Sequence, residues 1–479
     1  VSTVTDRLLR GAAVTSAVSG FRLAAQFLIL PVLSRLLSPH DYGLVALSMP
    51  FILFAMQVSD GGLCASLIRK RSVDVDAWSS AFWLVFGLGA LLAILLAALA
   101  PLLGWIYGEP AVVPILIALA GLLVIQSITT VPTAFLQKRH SFGALSLIEA
   151  ASIVTGMAAA ILVAVQGGGA WALVSQQMAY WLTRTLCTWF ASGMPIRATM
   201  RIALIRDDIR FGGDVVRVSG INFLSRYADT FIIGIMLGAA AAGIYSMAFQ
   251  IVRLPATLVL GPLSGVLFST LVRVRSDGDD MRALFFALTV ILASVFFPTM
   301  AVVASGHEPL FRLLLSPKWA EAGLAFMLMT PAAAIQTVIF LAMTFLVALG
   351  RPDVQLRLTV EFAIVWIVMI LVAVGWGVTV VAAVTNLCML FYLPRVASLA
   401  LPIIGCTRRE FARLLIAPIL CALGAAAALQ IIIREFHFND AVIAMIALAL
   451  GMAGMLLSLY VERGRLQRIR GIGYEPVTS

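Results

Sequence analysis

Fourteen mostly apolar stretches follow one another along this chain, at about 11–36, 43–67, 78–105, 110–136, 142–165, 169–192, 213–237, 242–271, 282–305, 321–349, 355–374, 377–401, 411–433 and 440–461. The hydrocarbon core of a bilayer is about 30 Å thick, which roughly 20 helical residues cross. In lipid the backbone must satisfy its own polar groups, so runs of this length are helices. Barrel strands would show alternating segments of about ten residues, and the sequence has none. The chain is 62% hydrophobic and 12% charged over 479 residues, whereas a soluble domain carries about 25% charged residues. These features predict an all-α polytopic membrane protein of about 14 transmembrane helices.

The basic residues give the orientation. Most of the 33 lysines and arginines fall in alternate inter-span segments, from Arg7 and Arg10 through Arg69, Lys70 and Arg71 to Arg463, Arg465, Arg468 and Arg470. Arg357 and Arg395 are counted with those segments. The intervening segments hold only Arg312, Lys318 and Arg434. By the positive-inside rule both termini are cytoplasmic. The net charge of +10 then reflects topology and anionic headgroups, with no nucleic-acid partner implied. No cleavable signal pattern is legible, so the first run is expected to be a retained helix.

The chain also repeats itself. "VSG" at 18–20 returns at 218–220, Gly43 and Gly61 align with Gly243 and Gly261, and "ILVAV" at 161–165 returns at 370–374. An even number of spans per repeat keeps the orientation, so the halves are expected to be parallel repeats. The expected divisions are a six-helix bundle in 1–205, its repeat in 206–401, and an appended helix pair with a basic tail in 402–479. Prolines within spans, among them Pro50, Pro132, Pro298 and Pro331, serve either static shape or hinges for alternating access.

Charges left within the spans carry the functional reading, because an ion at the bilayer centre costs roughly 2.5–3.5 kcal/mol on insertion scales. Four arginines lie deep: Arg22, Arg184, Arg226 and Arg253. The acids are Asp60, Glu149, Asp229 and Glu361, with Glu149 and Glu361 at matching repeat positions. Gln26 follows Arg22 by four, Gln57 precedes Asp60 by three, Gln250 precedes Arg253 by three, and Asn222 and Asp229 flank Arg226. Such spacings put each set on one helix face. Stripes of this kind are expected to face a shared cavity rather than lipid. Guanidinium stays charged and grips phosphate through two parallel bonds, so the arginines point to an anionic substrate. Arg226 and Asp229 are read either as a structural tie or as part of the site. Asp60 and Glu361 are candidate binders of a coupling proton or sodium ion.

Catalytic and metal signatures are missing. The five cysteines and four histidines lack metal-ligand or disulfide spacing, and "QGGGAW" at 166–171 reads as a tight turn. A membrane glycan polymerase would need a sizeable outer segment. The largest here, about 306–320 with His307, Glu308 and Arg312, is short and reads as a solvated loop. A drug or cation antiporter is the other alternative; it would need acids more than arginines in its cavity. No catalytic residue, metal or cofactor is expected.

Three segments resemble a known family: "PVLSRLLSPHDYGLVAL" (31–47), "DGGLCASLIRK" (60–70) and "LSRYADTFIIGIMLGAAAAGIYSMAF" (224–249). They are similar to the polysaccharide-transporter branch of the multidrug/oligosaccharidyl-lipid/polysaccharide exporter superfamily, the Wzx-type lipid-linked oligosaccharide flippases. The first matches R-x-L-x-P-x-(D/E)-(Y/F)-G, and the third S-R-x-x-D…G…G-x-Y-S. The resemblance covers most of the chain and implies a bacterial inner-membrane transporter. Its substrate would be an undecaprenyl-diphosphate-linked oligosaccharide, moved from the inner to the outer leaflet. By position, Arg22, Arg226 and Arg253 would hold the diphosphate. Coupling to an ion gradient, contacts with polysaccharide assembly proteins and membrane lipids, and a monomeric state are the further expectations.

Overall fold

The computed structural model describes residues 20–464 apart from 23, 70–73, 278–280 and 437, together with side chains outside several stretches of 207–280. The described residues are helical almost throughout. Helix α1 covers 20–22 and 24–36 of the described residues. It is followed by α2 (Pro39–Asp60), α3 (Leu63–Arg69), α4 (Val75–Tyr107), α5 (Val112–Lys138), α6 (Phe142–Val165) and α7 (Trp171–Ser192). Helix α8 (Arg206–Asp277) leads to α9 (Met281–Ser305), α10 (His307–Leu314), α11 (Ala320–Ala348), α12 (Pro352–Ala373), α13 (Val378–Ile404), α14 (Arg408–Glu435) and α15 (Asp440–Val461).

Within the described residues the expected spans fall on helix, the 43–67 run being divided between α2 and α3, and 11 of the described helices are long and apolar enough to cross a membrane. Three features account for the difference from fourteen. The first span is described only from residue 20. Helix α7 carries Gln176, Gln177 and Arg184, which dilute its apolar character. The runs at 213–237 and 242–271 form one long helix, broken at Gly238 with φ 80° and ψ −178°. That positive φ strains any residue with a Cβ. Exposed apolar side chains such as Trp105, Leu147 and Phe190 are the surface that lipid covers.

The contacts divide the chain into two compact units, Val1–Gly243 and Ile244–Ser479. In the first, the 38–43 motif has a clear structural role. Ser38 and Asp41 form a capping box at the start of α2: the Asp41 N–H donates to Ser38 Oγ at 3.2 Å, and the Ser38 N–H donates to Asp41 Oδ2 at 2.9 Å. Such a reciprocal cap satisfies N–H groups that the first helical turn leaves open. The other carboxylate oxygen, Oδ1, accepts from the Ala170 N–H at 3.1 Å and so anchors the glycine-rich turn before α7. Two residues on, Gly43 lies against the Ala239 carbonyl, and a Cβ there would sit 1.7 Å from that oxygen. Gly243 lies against the Pro39 carbonyl, where a Cβ would meet it at 1.9 Å. Gly43 and Gly243 thus form one backbone-on-backbone crossing of α2 and α8, the ordinary use of small residues between membrane helices. The segment after α7 is held to α4: Ser79 and Ser80 hydroxyls accept from the Arg197 and Arg201 N–H groups at 3.0 and 2.9 Å.

In the second unit, α9, α11, α13 and α14 share an apolar core that includes Phe285, Phe345 and Phe411. Helix α15 joins α9 through the buried Ser294 and Ser458 hydroxyls, 2.7 Å apart. On α14, Gln430 Nε2 donates to the Ser305 carbonyl at 2.7 Å. The segment expected as a solvated loop at 306–320 instead forms α10 and a short 3₁₀ turn, with Phe311 and Trp319 buried. Pro331 breaks the hydrogen-bond ladder of α11, and Asn386 of α13 repairs it. Its Oδ1 accepts from the Ala332 N–H at 2.9 Å and its Nδ2 donates to the Leu328 carbonyl. A side-chain amide inserted into the ladder is a recognised cause of a helix kink.

Candidate functional site

The first unit encloses a polar cavity of about 610 Å³. Its walls come from the C-terminal end of α2 (Gln57, Asp60), one face of α5 (Gln126, Thr130, Thr133, Gln137), Trp181 and Arg184 of α7, and Phe223 and Tyr227 of α8. The α5 residues are spaced i, i+4, i+7 and i+11, the spacing of a single helix face. Their hydroxyls are already committed as donors: Thr130 Oγ1 donates to the Gln126 carbonyl and Thr133 Oγ1 to the Thr129 carbonyl, each at 2.8 Å. Asp60 is the last residue of α2, and left-handed Gly61 (φ 50°) ends the helix behind it.

Arg184 is the cation of this cavity. Its Nη1 donates to Glu149 Oε2 of α6 and, at 2.7 Å, to the Tyr180 hydroxyl one turn earlier on α7. The Tyr180 hydroxyl in turn donates to Glu149 at 3.0 Å. Arg184 and Glu149 are 23% and 18% exposed, so the pair is largely withdrawn from solvent and each charge relies on the other. Among the described hydrogen bonds none uses Nη2 or Nε of Arg184. That edge of the guanidinium fork fits an anion.

An acid of the second unit is held in the same manner. Glu361 of α12 accepts from Arg395 of α13 at 2.8 and 2.9 Å and from Arg357 at 2.9 Å. Arg357 and Arg395, grouped with the cytoplasmic segments in the sequence, therefore lie within helices and pair with an intramembrane acid. In each unit, a glutamate on one helix is tied by an arginine on the next.

The structure brings Gln57, Asp60 and Arg184 to one cavity, with Glu149 bonded to Arg184. Arg22 and Gln26 are exposed on α1. Asp229 is buried and accepts from the Thr230 N–H at 2.7 Å. Arg253, in the second unit, is half-buried with its guanidinium 5.2 Å from the Phe249 ring, and Gln250 beside it is exposed. The side chains of Asn222 and Arg226 lie outside the described residues. Sequence reasoning missed the α5 stripe, although its spacing was there to be read.

Residues 32–323 match the family model described as "Polysaccharide biosynthesis protein". The chain is 23% identical over 334 residues to the lipopolysaccharide biosynthesis protein WzxC of Escherichia coli K12, a match covering 69% of this chain and 67% of that one. It is 25% identical over 297 residues to the succinoglycan biosynthesis transport protein ExoT of Rhizobium meliloti, covering 62% and 60%. Among solved structures, the lipid II flippase MurJ in an inward closed conformation superposes with a TM-score of 0.75 at 12% identity, over 94% of this chain and 98% of that one. An inward-facing MATE multidrug transporter superposes at 0.56 and 14% identity, over 79% and 95%. The fold is shared with these two transporters. The chain belongs to the polysaccharide biosynthesis protein family.

Proposed function

We propose that this protein moves an undecaprenyl-diphosphate-linked oligosaccharide, a surface polysaccharide precursor, from the cytoplasmic to the periplasmic leaflet of a bacterial inner membrane by alternating access. The observation that carries this reading is the polar cavity in a membrane-embedded unit, with the unused edge of the Arg184 guanidinium on its wall. Relatives named for lipopolysaccharide and succinoglycan biosynthesis point the same way. Arg184 would contact the diphosphate, and Arg22, Arg226 and Arg253 are the other candidates, on the sequence argument. The plan of two parallel six-helix repeats in 1–205 and 206–401 with an appended pair in 402–479, and the cytoplasmic placement of both termini, belong to this proposal.

The test separates charge from folding. Arg184→Ala alone would strand Glu149, so the informative variant is the double change Arg184→Gln, Glu149→Gln, which keeps a hydrogen-bonding pair without charge. A hydrogen bond to a charged group is worth about 1.5–3 kcal/mol, so surface glycan in a complemented deletion strain should fall at least tenfold at unchanged protein level. Single neutral variants of Arg22, Arg226 and Arg253 are scored alongside. Normal export from all four would overturn the cationic site. Cation export, the rival reading, has Asp60 in its favour; export of cationic dyes in place of glycan would support it.

A further inference from the structure

Two acceptor oxygens in the first-unit cavity have no partner. Asp60 Oδ1 and Gln126 Oε1 are buried and make no hydrogen bond among the described residues. A buried acceptor without a donor costs free energy, and such atoms call for an explanation at the site. Among the other acids within spans, Glu149 and Glu361 are each fixed by arginine, and Asp229 accepts from the Thr230 N–H. Asp60 has no arginine: the Cys64 thiol faces its carboxylate, and Oδ1 is left without a donor. Its carboxylate and the Gln126 amide turn on soft terminal torsions, so either can swing an oxygen into the cavity they line.

The remaining lining narrows what would satisfy them. Thr130 and Thr133 spend their protons on their own helix, so they offer lone pairs only. Trp181 and Tyr227 add aromatic walls. The cavity thus presents unfilled acceptors, aromatic faces and one guanidinium edge. A metal or organic cation would use the acceptors but be repelled by Arg184. A bare phosphate would use Arg184 but be repelled by Asp60. A sugar joined to phosphate matches all three: its hydroxyl protons meet the acceptors, its C–H face packs on the rings, and its phosphate reaches the guanidinium. A cavity of about 610 Å³ is in the range of small-ligand sites.

We infer that this cavity is the glycan subsite of the transporter, in which Asp60 and Gln126 accept hydrogen bonds from the sugar nearest the diphosphate and help set which glycan is carried. The inference rests on the proposed flippase function. Two probes test it on the purified full chain: the lipid-linked oligosaccharide extracted from a strain deleted for this protein, and bare undecaprenyl diphosphate. The wild type should prefer the glycan-bearing lipid. Asp60→Leu and Gln126→Leu, similar in size to the residues they replace, should each cut that preference at least tenfold. Monodisperse elution of each variant serves as the folding check. If the variants leave the ratio of the two affinities unchanged, or weaken both equally, the inference is overturned. A glycan preference that varies with sodium or pH in the wild type, and no longer does so in Asp60→Leu, assigns Asp60 to ion binding and overturns it too. Failure of the wild type to bind either probe would instead count against the flippase reading itself.

Discussion

Gly43→Ala should cost this protein more stability than the loss of any single surface ion pair. The added Cβ would sit 1.7 Å from the Ala239 oxygen and 2.4 Å from its carbonyl carbon, whereas ordinary contact begins at 3.4 Å. The obstructing atoms are backbone, so no rotamer change relieves the clash, and α2 and α8 must move apart. The same helices are joined by the Phe51–Phe231 and Phe54–Phe223 ring pairs, with centroids 4.9 and 4.8 Å apart. A gap of 0.5–1 Å already forfeits a quarter to a half of a dispersion well, so both ring contacts are lost with the crossing. Overpacking typically costs about 1–3 kcal/mol, and each aromatic pair adds about 0.5–1.5 kcal/mol. Alanine in place of glycine returns about 1 kcal/mol of helix propensity, leaving a net loss of roughly 1–5 kcal/mol. The assay is the temperature at which detergent-solubilised protein loses its monodisperse peak. Gly87→Ala on α4 is the control, because a Cβ there meets nothing within 4 Å, and only the propensity gain remains. If Gly43→Ala is as well tolerated as Gly87→Ala, the crossing is not as close as described. Gly243→Ala addresses the same crossing, so the double variant should be less damaging than the sum of the singles.

Three further outcomes are expected. Asn386→Leu leaves the Ala332 N–H and the Leu328 carbonyl without the partner that now bridges them. At about 1–3 kcal/mol for each unsatisfied buried group, the thermal midpoint should fall clearly; no change would show that α11 closes its own ladder at Pro331. Glu361→Gln removes the charge that Arg395 and Arg357 share, so it should lower the thermal midpoint more than Arg395→Gln, which leaves Glu361 its bond to Arg357. Equal midpoints would mean that Arg357 does not share that charge. Gly238→Ala places a Cβ at φ 80° and ψ −178°, with an expected loss of about 1–3 kcal/mol, read as reduced protein in the membrane at the same expression level.

Long apolar runs were enough to announce the helical membrane class, because in lipid few alternatives satisfy the backbone. The motif at 35–43 was legible as a family mark, but its physical content was not. That Asp41 would reach Ala170, and that Gly43 and Gly243 would share a crossing, depends on contacts far apart in the chain. The intramembrane acids show the same limit. Glu149 and Glu361 stood out as costly charges, yet their partners Arg184 and Arg395 lie 35 and 34 residues away, and Arg395 was read with a cytoplasmic segment. Gln57 and Asp60 were found from their spacing. Gln126, Thr130 and Thr133 were passed over because threonine blends into an apolar membrane helix, its hydroxyl bonding its own backbone.

The central claim is transport of a lipid-linked glycan across the membrane, and sidedness tests it most directly. Lipid-linked oligosaccharide is labelled in spheroplasts with a membrane-impermeant reagent before and after depletion of this protein. The account predicts that the intermediate accumulates, shielded from the reagent, on the cytoplasmic face, and becomes accessible once the protein is restored. Accumulation of the intermediate on the outer face during depletion, open to the reagent, would contradict it and place the protein after translocation.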